Sequence, residues 1–270
     1  MASNRGEPTR PAGDLRWTLE SGEHVCWLVR SRAEYEAGER ELLARAAQAG
    51  ESVMILGRRV RTRHQAPGVA GDLDVRPGRG GSAMVDLVRE QALRVGRSGR
   101  PLRILARMEH LAPPDAGLEE LIAREMDVAE LTGHGVTSVV CAYQHTAWQA
   151  ELLSGVSAVH ARLIGPAAHS ASFRIVPAAA DAWAVHGTVG YEAAAAFEAT
   201  MRALLARSSW LRLDCAQLEL IDAAGWRALI AATTGTPGAQ VLLERVNDTV
   251  AAAWRLSGYE NGTTQVLVRS

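Results

Sequence analysis

The sequence predicts an α/β protein of two domains, a mostly parallel-sheet domain followed by a smaller α/β domain. Three observations point to two α/β units. At 270 residues the chain exceeds one ordinary domain, which runs to roughly 100–200 residues. Apolar residues make up 47% of it, enough to fill two cores. Short apolar runs alternate with helix-period segments from residue 24 onward, stop at a small polar stretch, and then restart.

The elements follow in order. HVCWLV (24–29) reads as a strand, 33–49 as a helix with Leu42, Leu43 and Ala46 on one face, and SVMIL (52–56) as the next strand. A loop rich in Arg, Gly and Pro spans 57–81, before a helix over 82–95. LRILARM (102–108) is a strand, 118–131 a helix, TSVVCAY (137–143) a strand, 146–154 a short helix, and VHARLIG (159–165) closes the set. Strands separated by helices imply βαβ units and a mostly parallel sheet. GPAAHSAS (165–172) is small and polar, as an interdomain connection should be. The expected division is therefore a tail over 1–19, a first domain over 20–165, a linker over 166–172 and a second domain over 173–270. In the second domain, FRIVPA and AWAVHGTV read as strands. Residues 191–207 form an amphipathic helix burying Phe197, Met201, Leu204 and Leu205, and WLRLDC is a strand. The run LELIDAAGWRAL leads into a helix, QVLLER is a strand, 248–256 a helix and QVLVRS the last strand.

Composition narrows the function. The formal charge is −1, so there is no global pull toward nucleic acid or an anionic membrane. No apolar run approaches the roughly 18 residues of a membrane span, and MASNRGEPTRPAGD lacks the apolar core of a secretory signal. A cytoplasmic location is expected. Cys26, Cys141 and Cys215 are an odd, scattered set, unlike a secreted disulfide framework. All 29 basic residues are arginine, which removes the Walker lysine, the kinase strand lysine and any Schiff-base lysine. GRGGSA (78–83) follows a Pro/Arg loop where a dinucleotide fingerprint needs a strand, and RRVRTRH (58–64) has no interleaved aromatics to stack bases. Neither a nucleotide nor a nucleic acid is expected.

Chemistry-bearing residues interrupt the apolar strands of the first domain. His24 and Cys26 share a strand face, as do Cys141 and Tyr143. His160 lies in the last strand, Glu109 ends the third, and Glu125 continues the apolar face of its helix, where a carboxylate needs a partner. Three readings stand: a zinc site from His24, Cys26, Cys141 and His160, satisfied core residues, or a small-molecule or redox pocket. The spacing lacks the tight ligand pairs of standard zinc sites, so no metal or other cofactor is expected. In the second domain, Asp222 can cap the next helix, Ala223 and Ala224 permit close approach, Gly225 relaxes the turn, and Trp226 is a candidate aromatic anchor.

Two family resemblances run through these residues. GEHVCWLV, QAGESVMIL, RILARMEHL, LIAREMDVAEL, VVCAYQ and VHARLIG together resemble the MEDS domain, a sensory module with a RecA-like fold that lacks nucleotide-hydrolysing machinery. The family pattern falls on His24, Cys26, Glu109, Glu125, Cys141, Tyr143 and His160; its usual proline after the last histidine is Ala161 here. The resemblance implies that these residues sense a small organic ligand. The segment from Phe173 to the end resembles the STAS domain of anti-sigma factor antagonists, through WAVHGTV, YEAAAAFEATMRALL, WLRLDCAQLELIDAAGWRAL and QVLLERVNDTVAAAWRLSGY. It implies that Asp222, Ala223, Ala224, Gly225 and Trp226 dock a partner, either an anti-sigma factor or a related kinase-type ATPase domain. Family switches carry a phosphorylatable hydroxyl where this chain has Ala223 and Ala224, so that switch is absent. A non-enzymatic regulator is expected, possible as a homodimer. The alternatives are a metal-dependent enzyme using the His/Cys/Glu cluster and a structural dimerisation protein.

Overall fold

In the computed structural model, the described residues are 19–57, 61–63, 81–96, 101–112, 116–132, 135, 137–166, 169–178, 182–259 and 265–270. The first sheet is built from β1 (His24–Val29), β2 (Ser52–Leu56), β3 (Arg61–Arg63), β4 (Leu102–Arg107), β5 (Thr137–Gln144) and β6 (Arg162–Ile164), in the order β3-β2-β4-β5-β1-β6. All neighbours pair in parallel except β3, an antiparallel edge. The first strand is thus interior, between β5 and the edge strand β6. All six residues of β1 are buried, as expected of a parallel strand covered on both faces. Val25, Trp27 and Val29 meet Tyr35, Leu42 and Ala46 of α1 (Arg32–Ala49). Cys26 and Leu28 face the opposite way, toward α3 (Leu118–Thr132) and α4 (Ala150–Ser157). The helix α1 begins at Ser31, whose hydroxyl accepts from Glu34 N, and ends at the left-handed Gly50. Between β3 and β4 lies α2 (Gly81–Gly96). Residues 78–80 of the GRGGSA segment, and 58–60 and 64 of the arginine run, lie outside the described residues.

The second sheet has the order β11-β10-β9-β8-β7, from β7 (Phe173–Pro177), β8 (Ala182–Val189), β9 (Trp210–Ile221), β10 (Gln240–Glu244) and β11 (Val266–Val268). Only β7 runs antiparallel to its neighbour. Against the sheet lie α5 (Ala194–Leu205), α6 (Ala223–Thr234) and α7 (Asp248–Ser257). Gly187 has φ +81°, and a Cβ there would sit 2.3 Å from the Ser172 carbonyl oxygen, so the strand crossing admits only glycine.

The two sheets share packing through α3. On this helix Leu121 and Val128 enter the core of the first domain, whereas Ile122 and Met126 join the core that holds Phe173, Phe197, Met201 and Trp226. The guanidinium of Arg207, just past α5, bonds the Asp127 carboxylate and donates to the Ala123 carbonyl at 2.6 Å. Ile175 N donates to Ala158 O at 2.7 Å, and Arg174 donates to Ala161 O at 3.2 Å. The chain just before β6 is therefore tied to the first strand of the second sheet.

Three sequence expectations change. The last strand of the first sheet starts at Arg162, so His160 lies in the turn before it, where its ring nitrogen bonds the end of α4. Glu109 falls in a 3-10 turn after β4, not on the strand. The helix expected over 146–154 is shifted to Ala150–Ser157, with Trp148 instead set edge-on against Tyr143, 5.5 Å between centroids. Tertiary packing overrides the local pattern there.

Gly225 also has another role than relaxing a turn. It lies inside α6, and a Cβ would come within 2.8 Å of Val189 O, Val189 Cγ1 and Ile221 Cγ2. Its bareness lets the helix start rest on the end of β8. Gly225→Ala should lower stability by about 1–3 kcal/mol, the usual cost of overpacking, as a drop in the thermal melting midpoint of the full chain.

Candidate functional site

Four of the expected side chains come from adjacent parallel strands in register. Cys26 on β1 pairs with Cys141 on β5, and Leu28 with Tyr143; alternate residues of each strand therefore place His24, Cys26, Cys141 and Tyr143 on one face. Glu125 arrives from α3, four residues after Leu121 and three before Val128, on the stripe that faces this sheet. His160 is brought in by the turn after α4, where its Nδ1 donates to Val156 O at 2.6 Å.

Glu125 is the centre. Its Oε2 lies 3.0 Å from His24 Nε2 and 3.3 Å from His160 Nε2, and accepts from the Cys141 thiol at 3.1 Å. Its Oε1 accepts from the Tyr143 hydroxyl. His24 Nε2 is also 3.4 Å from Cys141 Sγ, and the two imidazole centroids are 3.9 Å apart. Glu125, Cys141, Tyr143 and His160 are fully enclosed, and His24 is 3% exposed. One ligand atom from each of His24, Glu125, Cys141 and His160 falls within 4.8 Å of the others. The donor set open to a metal thus contains Glu125 in place of Cys26, which is buried beside Cys141 on the neighbouring strand. Glu109 stands apart from this group. Its carboxylate accepts from Gln144 N and lies 3.5 Å from Arg107 Nε, pinning the end of β5 to the turn after β4.

Burial sets the charge states. Desolvation, reinforced by the neighbouring His160, lowers His24 to about 4, since two imidazoles in contact resist sharing charge. Burial alone would raise the Glu125 carboxyl, but His160 and His24 outweigh it and hold the group well below its usual range. Burial and then the Glu125 charge push the thiols of Cys26 and Cys141 and the Tyr143 phenol upward. Reactive sensor thiols are exposed and low in pKa, the opposite of these two, so the geometry does not favour direct oxidation as the input.

A crevice of about 380 Å³ opens elsewhere, at the carboxyl ends of β1 and the edge strand β6. Trp27, Arg30, Glu34, Ile164 and Pro166 line it. Open α/β sheets bind ligands in such crevices.

In the second domain both carboxylate oxygens of Asp222 are engaged by backbone. Oδ1 accepts from Ala224 N at 2.8 Å and Gly225 N at 2.9 Å, and Oδ2 from Tyr191 N at 3.0 Å. Asp222 thereby caps α6 and fastens the start of the helical segment before α5. Trp226 is not an exposed anchor: it is 1% accessible, with its ring 4.9 Å from that of Trp254. A tryptophan one turn into a helix that leans on the sheet points inward. The exposed aromatic beside the turn is Tyr191, at 79%, which periodicity had absorbed as the first residue of a helix. Ala223 is exposed and Ala224 half-buried.

This architecture, a sheet enclosing a polar cluster joined to a STAS-like domain, defines a regulatory protein of two domains. Residues 23–161, just over half of the chain, match the family described as "MEDS: MEthanogen/methylotroph, DcmR Sensory domain", and the chain belongs to that family. Residues 177–269 match the family described as "Mlab, STAS domain". No curated protein matches the chain. Among the described residues no helix is long and apolar enough to cross a membrane.

Two substitutions test the two buried centres. Trp226→Ala should cost about 3–5 kcal/mol, as large aromatic truncations in cores do, read by chemical denaturation. Glu125→Ala should cost a similar amount, about 3–5 kcal/mol, because it removes the common partner of a buried polar group. A loss under about 1 kcal/mol for Glu125→Ala would mean that its partners rearrange around an apolar site.

Proposed function

We propose that the protein is a cytoplasmic signalling regulator in which the polar cluster of the first domain controls how the second domain meets a protein partner, an anti-sigma factor or a kinase-type ATPase domain. The sensor residues are His24, Glu125, Cys141, Tyr143 and His160, with Cys26 beside them. One observation carries this reading: α3 bears Glu125 on its first-domain side and Ile122 and Met126 in the core of the second. A change at the cluster that shifts or rotates α3 must disturb its packing on α5, and α5 packs in turn on α6. The His160 turn supplies a second tie, because the Ala158 and Ala161 carbonyls accept from Ile175 and Arg174 of β7. Coupling of this kind requires that the sensed state favour one arrangement of the two domains over another.

The docking surface is Ala223, Ala224 and Tyr191 around the Asp222 cap. Asp222, Gly225 and Trp226 shape it from below. With no hydroxyl at Ala223 or Ala224, control comes from the first domain and not from phosphorylation at this turn. A small organic ligand, which the sensory family suggests, has room in the crevice beside Trp27 and Arg30, whereas the Glu125 cluster is closed around its own atoms.

Two measurements test this. In pull-downs from native lysate, Ala224→Glu and Tyr191→Ala should each remove the same captured protein; capture that survives both places docking elsewhere. Amide hydrogen exchange should show altered protection in α5 and α6 of Glu125→Gln, and unchanged protection there would sink the coupling.

A further inference from the structure

The atoms around Glu125 Oε2 are arranged like a coordination shell drawn in on itself. We infer that the cluster is a binding site for a divalent transition-metal ion, zinc by its donor set, held by His24 Nε2, His160 Nε2, Cys141 Sγ and Glu125 Oε2. The existence of the site stands on geometry alone; its use as the sensed input rests on the function proposed above.

Spacing supports it first. The neighbouring donor atoms are 3.0, 3.1, 3.3 and 3.4 Å apart. A tetrahedron with bonds of about 2.0–2.1 Å to nitrogen or oxygen and about 2.3 Å to sulfur has edges of roughly 3.3–3.6 Å. These four edges reach tetrahedral length by changes of a few tenths of an ångström, and the remaining pairs lie within 4.8 Å, whereas an organic molecule would have to break the shell. All four positions belong to protein atoms, the closed pattern of structural zinc and not the open one of hydrolytic zinc. This counts against the metal-dependent enzyme.

Hydrogen bonding supports it independently. The Val156 carbonyl can only accept, so the His160 proton sits on Nδ1, and Nε2 turns toward a carboxylate oxygen 3.3 Å away. Among the described residues Nε2 makes no hydrogen bond, although it is fully enclosed. A cation held between it and Oε2 would satisfy both atoms. The same Nδ1-to-carbonyl bond is the usual outer support of a metal-bound histidine, and Tyr143 holds Oε1, leaving Oε2 for the ion.

Charge closes the argument. On binding, a metal–sulfur bond forms as the Cys141 S–H proton leaves to solvent; each histidine bonds through a bare Nε2 with its proton on Nδ1, and any proton held between an Nε2 and Oε2 leaves to solvent as well. One thiolate and one carboxylate then balance a dication, so the buried centre is neutral. Cys26 is left as an uncharged neighbour.

The test is metal analysis of the full-length protein purified from zinc-supplemented cells, together with cobalt(II) loading of chelator-treated protein. Expected are about one equivalent of zinc per chain and, with cobalt, intense tetrahedral d–d absorption plus a thiolate-to-metal band. Cys141→Ser should abolish the thiolate band with its far-UV circular dichroism intact, while Cys26→Ser should keep it. If the histidine or Glu125 variants do not fold, the cobalt spectrum of the wild type still decides. Wild-type protein with no stoichiometric zinc and no cobalt band overturns the site, as does a band lost in Cys26→Ser and kept in Cys141→Ser. Zinc bound in full, with partner capture unchanged by chelation, keeps the site and refutes its use as the input. Absent metal, with exchange in α5 and α6 still altered by Glu125→Gln, refutes the site and keeps the coupling.

Discussion

The carboxylate of Glu125 is the constraint on which the first domain is organised. A charge with no solvent exposure is tolerated only when every lone pair is answered. Here the answers come from four separate places in the chain: the start of β1, two positions on β5 and the turn before β6. Each distance therefore constrains an element. The depth of α3 over the sheet, the register of β1 against β5 and the conformation of the His160 turn are fixed together. Loss of any one partner leaves the others facing a charge in a dry interior.

That constraint is passed on because α3 has no solvent-facing majority. Leu121, Ile122, Glu125, Met126, Val128, Ala129 and Thr132 are all buried, an apolar girth too wide for a helix that covers a single sheet. The excess is taken up by α5. Gly155 of α4 shows how tight the junction is, since a Cβ there would lie 2.3 Å from Leu118 Cδ1 and 3.6 Å from Ala196 Cβ. Polar contacts fasten its rim, with Arg207 on Asp127 and Arg202 3.5 Å from Glu119. The two domains are joined by packing as much as by the chain between them.

Much of the fold was legible in the sequence because short, fully apolar strands and their intervening helices leave strong periodic signals. HVCWLV, SVMIL and AWAVHGTV coincide with β1, β2 and β8. Residues that meet through tertiary structure were harder to place. Glu125 announced itself as a carboxylate on an apolar face, but which residues would surround it depends on strand order, and β1 beside β5 is not written in local pattern. His160 looked like a strand residue since VHARLIG is apolar; the bond from its ring to Val156 bends the chain first. Trp226, a candidate exposed anchor, is buried for a related reason. A helix's first turn does not reveal in one dimension which side leans on the sheet. The short β3 lay hidden in a run of arginines whose composition suggests only loop.

The Asp222 cap has a consequence for the kind of recognition that this surface offers. Helix N-termini ordinarily present unpaired amides and a partial positive charge to whatever approaches. Here Asp222 already occupies the amides of Ala224 and Gly225, and the residues above it are methyl groups. The end of α6 therefore shows a visitor contour in place of a field. Association built on such contour forms at an ordinary diffusive rate and owes its selectivity to fit, and dissolved salt finds little in the turn itself to screen.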